Sequence, residues 1–269
     1  MPTSASSFVR QFEQLQAKVD KQCRSPEPWV CPDAVTLAEQ AGLQLDEWQR
    51  SACLSTASRM SLNCSRQSGK STVASVMAVH TALSEEDALC LLISPSLRQS
   101  AELFRACLSL YRRLGKPIRS KQESVTRLDL ENNSRIISLP GTETTTRGFS
   151  KCKLLCIDEA SRVEDSLYFA IRPFLAVSNG RLVTLSTPAG TRGWWYEAWK
   201  SDERWERFKV TAEECPRISK AFLEEEKETI GQYFYEQEYC CIFNDAQEAA
   251  FRSQDIERIV DRNISTWDL

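Results

Sequence analysis

Histidine is nearly absent from this sequence of 269 residues, in which His80 is the single example. Eleven cysteines are present, but none of them shows the C-x-x-C spacing that is typical of structural zinc sites. These two deficits together argue against a zinc site. The cysteine count is odd and no secretory signal precedes it, so we expect reduced, mostly buried thiols in a cytosolic protein.

Long apolar runs are lacking as well. No stretch approaches the ~18 residues that predict a membrane span, and the opening residues MPTSASSFVRQF contain no hydrophobic segment of the signal-peptide type. An excess of charge of one sign is also missing, because 34 Lys and Arg residues against 37 Asp and Glu residues leave a net charge of −3. Binding to nucleic acid would therefore require a local basic patch.

From residue 60 onwards, short apolar runs alternate with amphipathic stretches, which predicts an α/β fold. Short connections favour a mainly parallel sheet flanked by helices on both faces. Strands are predicted over 60–64, 88–94, 124–130, 134–139, 153–157 and 181–186, and helices over 69–83, 97–114 and 167–176. We predict an N-terminal helical arm (1–45), a core domain (46–210) and a small helical lid or linker subdomain (211–269).

The stretch CSRQSGKST at 64–72 ends like a phosphate-binding loop but begins differently. Gly69 allows close approach of the backbone, Lys70 supplies a cation for phosphate oxygens, and Ser71 offers a hydroxyl to Mg²⁺. A strand precedes the stretch and an amphipathic helix follows it, as such a loop requires. Because Cys64 replaces the usual first glycine, a chance match at a helix start is the alternative. The residues predicted to contact nucleotide here are Ser65, Arg66, Gln67, Ser68, Gly69, Lys70, Ser71 and Thr72.

A second candidate segment, KLLCIDEA at 153–160, is an apolar strand that ends in two acidic residues. The carboxyl ends of parallel strands border the ligand crevice, so these carboxylates would meet the phosphate loop. Asp158 suits a magnesium role through water, and Glu159 suits general-base or water-orienting work. The plainer alternative is that the pair caps the N-terminus of a following helix.

In this order, the two segments resemble the ATPase motor domain of the large terminase subunit of tailed double-stranded DNA bacteriophages. Three further segments add to the resemblance: LDEWQR at 45–50, TTRGFS at 145–150 and STPAG at 186–190. They are similar to that family's adenine-contacting segment, arginine-bearing turn and coupling motif. The resemblance spans residues 45–245 and implies a P-loop NTPase fold of the ASCE type.

The resemblance also implies catalytic roles. Lys70 would bind the phosphates, and Glu159 would be the catalytic carboxylate. Arg66 would sense or stabilise the γ-phosphate from within the loop, and Arg147 would be an arginine finger that reaches a neighbouring subunit's nucleotide. The alternatives are a solvated surface arginine for Arg66 and a flexible loop charge for Arg147.

Binding and coupling roles follow from the same resemblance. Ser71 and Asp158 would hold the metal, and Trp48 and Gln49 would hold the adenine, although Gln49 alternatively lies on a helix surface. Ser186 and Thr187 would relay hydrolysis to the DNA-gripping surface, unless they form no more than a strand-ending turn.

The function implied is ATP hydrolysis, with ATP and Mg²⁺, that drives translocation of double-stranded viral DNA into a procapsid. The partners implied are double-stranded DNA, the small terminase subunit, the portal protein and further copies of the chain in a ring, all in the host cell cytoplasm. A monomeric helicase-like DNA-dependent ATPase and a non-enzymatic nucleotide switch are the alternatives. No nuclease activity is expected, because too few residues follow residue 245 to form a nuclease domain.

One basic stretch, YRRLGKPIRSK at 111–121, is the candidate for contacts with DNA phosphates. A solvated helix end is the alternative, because cations favour helix C-termini. The tryptophan-rich segment GWWYEAWK at 193–200 favours packing over base stacking. The residues predicted to bind DNA are Arg112, Arg113, Lys116, Arg119 and Lys121.

Overall fold

The computed structural model describes residues 29–141, 149–201 and 204–245. The chain divides into two compact units, residues 1–31 and 32–269. Of the first unit only residues 29–31 are described, and Val30 is exposed there. None of the described helices is both long and apolar enough to cross a membrane.

In the described part of the second unit, eight strands form one mixed sheet. Its strands are β1 (Arg59–Cys64), β2 (Leu89–Ser94), β3 (Ser120–Glu123), β4 (Arg127–Leu130), β5 (Arg135–Pro140), β6 (Cys152–Asp158), β7 (Arg181–Ser186) and β8 (Glu206–Val210). Their order across the sheet is β3-β4-β5-β2-β6-β7-β1-β8. The pairs β3–β4 and β4–β5 are antiparallel, and the other pairs are parallel.

Helices cover both faces of the sheet. They are α1 (Ala34–Gln40), α2 (Glu47–Leu54), α3 (Lys70–Ser84), α4 (Leu97–Arg113), α5 (Asp165–Ile171), α6 (Trp194–Lys200) and α7 (Lys220–Glu238), with short 3-10 turns at Ala160–Arg162 and Arg172–Leu175. Helices α3 and α4 pack on one face, and α1 and α2 lie against α3. On the other face, α5 and α6 bury a cluster in which Tyr168 stacks on Trp194 at 3.8 Å between ring centroids.

Burial explains why the central strands form. All six residues of β2 (LCLLIS) are buried, as expected for a parallel strand covered on both sides. The alternating α/β pattern of the sequence is thus confirmed, and the four central parallel strands lie within one residue of their predicted bounds. The sequence did not predict β3, β8, α2 or α6, whereas α1 lies within the predicted helical arm. Trp194 and Trp195 of α6 are 5% and 2% exposed, which agrees with the packing role expected for this segment.

Helix α7 is interrupted at Gly231, whose φ of 78° and ψ of 160° are not helical. Before the interruption, Leu223 packs into a small cluster with Ala212, Tyr235 and Tyr239. After it, one further stretch of helix carries the chain to Glu238, which lies beside the carboxyl ends of the strands.

The edge of the sheet holds a compact charge cluster centred on Glu123 of β3. Its carboxylate accepts hydrogen bonds from Lys116 at 2.5 Å, from Ser120 at 2.8 Å and from Arg112 at 3.0 Å. These partners, Lys116 first, lower the pKa of Glu123 from 4.5 to about 2. Two of the basic residues predicted to bind DNA, Arg112 and Lys116, therefore share one carboxylate, which offsets one of their two positive charges.

We expect Glu123→Gln to lower the free energy of unfolding by about 1 kcal/mol at neutral pH, since solvent screens these half-exposed partners. The folded-state pKa lies below the unfolded one, so this stability is fully present above about pH 4.5 and is lost as the pH falls towards 2. Urea unfolding at pH 7 and pH 3 measures the difference. Glu131→Gln, whose carboxylate lies 4.0 Å from Arg119, is the control. An equal loss at both pH values would contradict the ion-pair explanation.

Candidate active site

The carboxyl ends of four parallel strands meet at one edge of the sheet. In the registers of these strands, Asn63 of β1 lies opposite Ser186 of β7, and Ile93 of β2 opposite Ile157 of β6. The phosphate-loop segment follows β1, and Asp158 ends β6. The two sequence motifs are therefore brought to the same edge, as the sequence predicted.

The loop at 65–69 leaves several backbone donors free. Ser65 N–H donates to Val210 O at 2.9 Å, and Ser68 N–H donates to Ser65 O at 3.4 Å. The N–H groups of Gln67, Gly69, Lys70 and Ser71 donate no hydrogen bond to any described residue. They surround the N-terminus of α3, where the helix dipole favours an anion.

The left-handed backbone at Gly69, with φ of 92°, turns the loop into the helix. Lys70 is 8% exposed, so its ammonium group is held close to the protein. Ser71 and Thr72 lie in the first turn of α3 and are partly buried. These features fit a phosphate group with an accompanying cation, and Cys64, in place of the usual glycine, is fully buried at the end of β1.

A clasp of three polar side chains fixes the loop from outside. Gln49 Nε2 donates to Gly69 O at 3.1 Å, and Gln49 Oε1 accepts from Asp46 N–H at 2.8 Å. Arg217 donates to Ser68 O at 2.7 Å and pairs with Asp46 at 2.8 Å. Gln49 therefore braces the phosphate loop. The sequence had assigned it to adenine and gave no sign of Arg217.

Trp48, the other residue assigned to adenine, has a buried indole nitrogen that finds no acceptor among the described residues. Buried indole N–H groups usually have a partner. No described contact joins this indole to the loop, so the adenine role of Trp48 stays a prediction.

The acidic pair at the end of β6 has two different environments. Asp158 is 9% exposed, and burial, then the charge of Glu159, raises its pKa from 3.8 to about 6, against the opposing effect of Lys70. Glu159 has left-handed backbone with φ of 51°, and its carboxylate accepts a hydrogen bond from Arg162 at 2.8 Å. Asp158 and Lys70 thus share a buried space, while Glu159 points to a cation.

Glu238, at the end of α7, joins the motifs together. Its carboxylate accepts from Arg66 Nε at 2.6 Å and from Arg162 at 3.4 Å, and its backbone carbonyl accepts from Arg66 N–H at 3.2 Å. Burial would raise the pKa of Glu238, but the hydrogen bond and charge of Arg66 and the charge of Arg162 lower it overall. Sequence reasoning missed Glu238 because it interpreted the acidic residues of this helix as a solvated face.

The two predicted coupling residues contact the turn after Glu159 and the carboxylate of Glu238. Ser186 and Thr187 are 0% and 2% exposed. The hydroxyl of Ser186 lies 2.7 Å from the hydroxyl of Ser161, which belongs to the turn that follows Glu159. Thr187 Oγ1 donates to Glu238 at 3.3 Å. The end of β7 therefore lies between the acidic pair and helix α7.

The remaining predicted residues are placed elsewhere or fall outside the described chain. Arg147 lies outside the described residues. In the basic stretch, Arg112 and Lys116 bind Glu123, and Arg113 donates to Gly42 O at 3.2 Å. Arg119 is 4.0 Å from Glu131 and Lys121 donates to Asn133 at 2.6 Å.

We expect Gly69→Ala to destabilise the protein by about 2 kcal/mol, as measured by urea unfolding. The left-handed backbone costs an alanine about 1 kcal/mol, and the new methyl group would displace Gln49 Nε2 and break its hydrogen bond. Gly115→Ala is the matched control, because Gly115 has φ of +77° but no atom within 4 Å of the added Cβ. Equal losses in the two variants would show that the clasp contributes nothing.

Comparison with known proteins identifies the family. A family model described as the N-terminal domain of the T4likevirus-type terminase large subunit matches residues 62–258. No individual curated protein sequence matches the chain.

Solved structures share the fold at low sequence identity. The large terminase ATPase domain of Thermus phage P74-26 has a TM-score of 0.69 at 23% identity, covering 80% of this chain and 99% of that one. A thermophilic bacteriophage large terminase, solved in complex with ADP, has a TM-score of 0.59 at 12% identity, covering 79% and 53%. The large terminase of bacteriophage HK97 has a TM-score of 0.55 at 16% identity, covering 80% and 46%.

The matched region thus spans about half the length of the last two proteins. From the family match and the shared fold, the chain belongs to the family of terminase large-subunit N-terminal domains and has their P-loop nucleotide-binding fold.

Proposed function

We propose that this chain binds ATP at the loop 65–69 and hydrolyses it to ADP and phosphate, and that hydrolysis drives double-stranded DNA into a procapsid. The observation that carries the proposal is the set of free N–H groups at the start of α3, adjoined by the buried pair Lys70 and Asp158. Several amide donors, a helix N-terminus and a cation are what phosphate binding requires. Family membership supplies the link to DNA packaging.

The residues present also fit a magnesium ion. Ser71 offers a hydroxyl and Asp158 a carboxylate, and oxygen ligands of this kind are what Mg²⁺ prefers. When bound, the ion would neutralise charge on the β- and γ-phosphates. Burial destabilises the ionised form of Asp158 when no cation is near, as its raised pKa indicates. Binding of the metal would offset that cost.

Glu159 is the proposed general base. Its carboxylate would take a proton from, or orient, the water that attacks the γ-phosphate. In the structure, Arg162 holds Oε2 of this carboxylate at 2.8 Å, so we propose that Oε1 is the oxygen that accepts from water. The hydrogen bond between Ser161 and Ser186 ties the same turn to β7.

Arg66 is proposed to contribute positive charge to the transition state, and Arg147 to act on the nucleotide of a neighbouring subunit in a ring. Added guanidinium charge accelerates phosphoryl transfer by ~10³–10⁵ in other nucleotidases. Arg66 is 61% exposed at its side chain but is held by Glu238. Thr187 contacts the same carboxylate, which supports a coupling role for the β7 end. The proposed partners are the small terminase subunit and the portal protein, and the proposed location is the host cytoplasm.

Glu159→Gln is expected to reduce kcat for ATP hydrolysis by about 10²–10⁴-fold, because the amide cannot accept the proton of the attacking water. ATP binding should persist, since Glu159 is not placed among the phosphate contacts. Phosphate release and binding of a fluorescent ATP analogue measure the two properties. Glu164→Gln, which changes an acid at the start of α5, should leave both unchanged. Full turnover by the Glu159 variant would refute the assignment.

Glu238→Gln is expected to lower KM for ATP about threefold, because Arg66 would no longer have to leave an ion pair of roughly 0.7 kcal/mol. Steady-state hydrolysis at varied ATP measures this. The exposed Glu228 of the same helix provides the control Glu228→Gln. In a background that carries Arg66→Ala, the change should disappear. If the gain persists there, Arg66 is not its cause.

A further inference from the structure

A polar cavity of about 510 Å³ lies at the amino ends of the central strands, whereas the nucleotide site lies at their carboxyl ends. It is formed where β2 and β5 begin, at Leu89 and Arg135, and where Lys151 precedes β6. Because these strands are parallel, their amino ends lie a strand length, or ~20 Å, from their carboxyl ends. The cavity is thus separate from the loop and the acidic pair.

The charge of this cavity is positive. Lys121, Arg135 and Lys151 line it. No described carboxylate forms an ion pair with Arg135 or Lys151, and Lys121 donates to the neutral amide of Asn133 at 2.6 Å.

The two acids of the lining do not cancel this charge. Asp129 is committed to Arg127, which it binds through both oxygens at 2.7–3.1 Å. Asp87 is the one lining carboxylate without an ion pair among the described residues. Three lysine or arginine side chains against one free acid favour an anionic ligand.

Hydrogen bonds fix the wall of the cavity to helix α3. Asn132 Nδ2 donates to Ala82 O at 2.9 Å, and Ser134 Oγ donates to Glu85 O at 2.6 Å. In return, Asp87 N–H donates to Asn132 O at 3.1 Å. The turn that carries Asn133 and Arg135 is therefore held rigidly against the end of α3.

Helix α3 begins at Lys70 in the phosphate loop and ends at Ser84 beside this turn. Its 15 residues span ~22 Å. One helix thus connects the nucleotide site to the cationic cavity, and a displacement at its start would reach the cavity wall.

We propose that the cavity binds the phosphate backbone of double-stranded DNA through Lys121, Arg135 and Lys151. This rests on the proposed function, because it assumes that the chain acts on DNA. Ser150 and Asn133 supply further polar groups for phosphate or sugar contacts. Of the basic stretch predicted from the sequence, only Lys121 takes part, since Arg112 and Lys116 are held by Glu123 and Arg113 donates to Gly42 O.

Two variants that each remove two cations test the proposal: Arg135→Gln/Lys151→Gln in the cavity and Arg112→Gln/Arg113→Gln in the basic stretch. Anisotropy of a short fluorescent DNA duplex gives affinity between about 50 and 200 mM salt. The cavity variant should lose affinity at least about tenfold and flatten the slope of log K against log salt by about 0.9 for each lost contact. The other variant should bind nearly as wild type. Arg135→Lys/Lys151→Arg should keep most of the affinity.

Binding of a fluorescent ATP analogue and thermal unfolding are recorded for each variant. An equal or larger loss in the Arg112/Arg113 variant, or unchanged binding in the cavity variant, would overturn the proposal. A wild-type chain that binds the ATP analogue but no DNA would also overturn it, while leaving nucleotide binding intact. Failure to bind the analogue would instead count against the proposed function itself.

Discussion

The free backbone N–H groups at the start of α3 are the constraint on which the rest of the site depends. A helix N-terminus without partners is tolerated where water or an anion satisfies it. Here the loop is fixed by hydrogen bonds on its outer side, from Gln49 and Arg217, so that its inner donors stay available. The loop follows β1 directly and is joined to β8 by the hydrogen bond from Ser65 N–H to Val210 O. The surrounding structure thus maintains an arrangement that is complete only with a ligand.

A chain of ion pairs surrounds this site. Glu159 binds Arg162, Arg162 binds Glu238, and Glu238 binds Arg66. Glu159 and Arg66, two of the proposed reacting groups, are therefore already paired, and moving one member changes the partners of the next. Thr187, which follows β7, donates a hydrogen bond to the same carboxylate of Glu238. The consequence is that the loop, the acidic strand, the coupling strand and helix α7 share one electrostatic network.

Much of the sheet could be predicted from the sequence, because the fully buried run LCLLIS and the nearly fully buried run CKLLCID leave little choice of environment. The loop and Asp158 were also placed correctly at one edge, since parallel strands bring their carboxyl ends together. Glu238 and Arg217 could not be found, because their roles arise from contacts 51 or more residues apart in the chain. Arg112 and Lys116 appeared free in the sequence, since the strand that carries Glu123 was not predicted.

The break at Gly231 divides helix α7 into two parts. No atom lies within 4 Å of the position a Cβ would occupy there, so the glycine serves conformation and not close packing. Residues 220–230 are anchored by Leu223, whereas residues 232–238 end on the carboxylate that grips Arg66 and Thr187. Because Tyr235 packs with Leu223 and Tyr239 donates a hydrogen bond to Glu226, the two parts are tied together across the break, and the position of Glu238 depends on both.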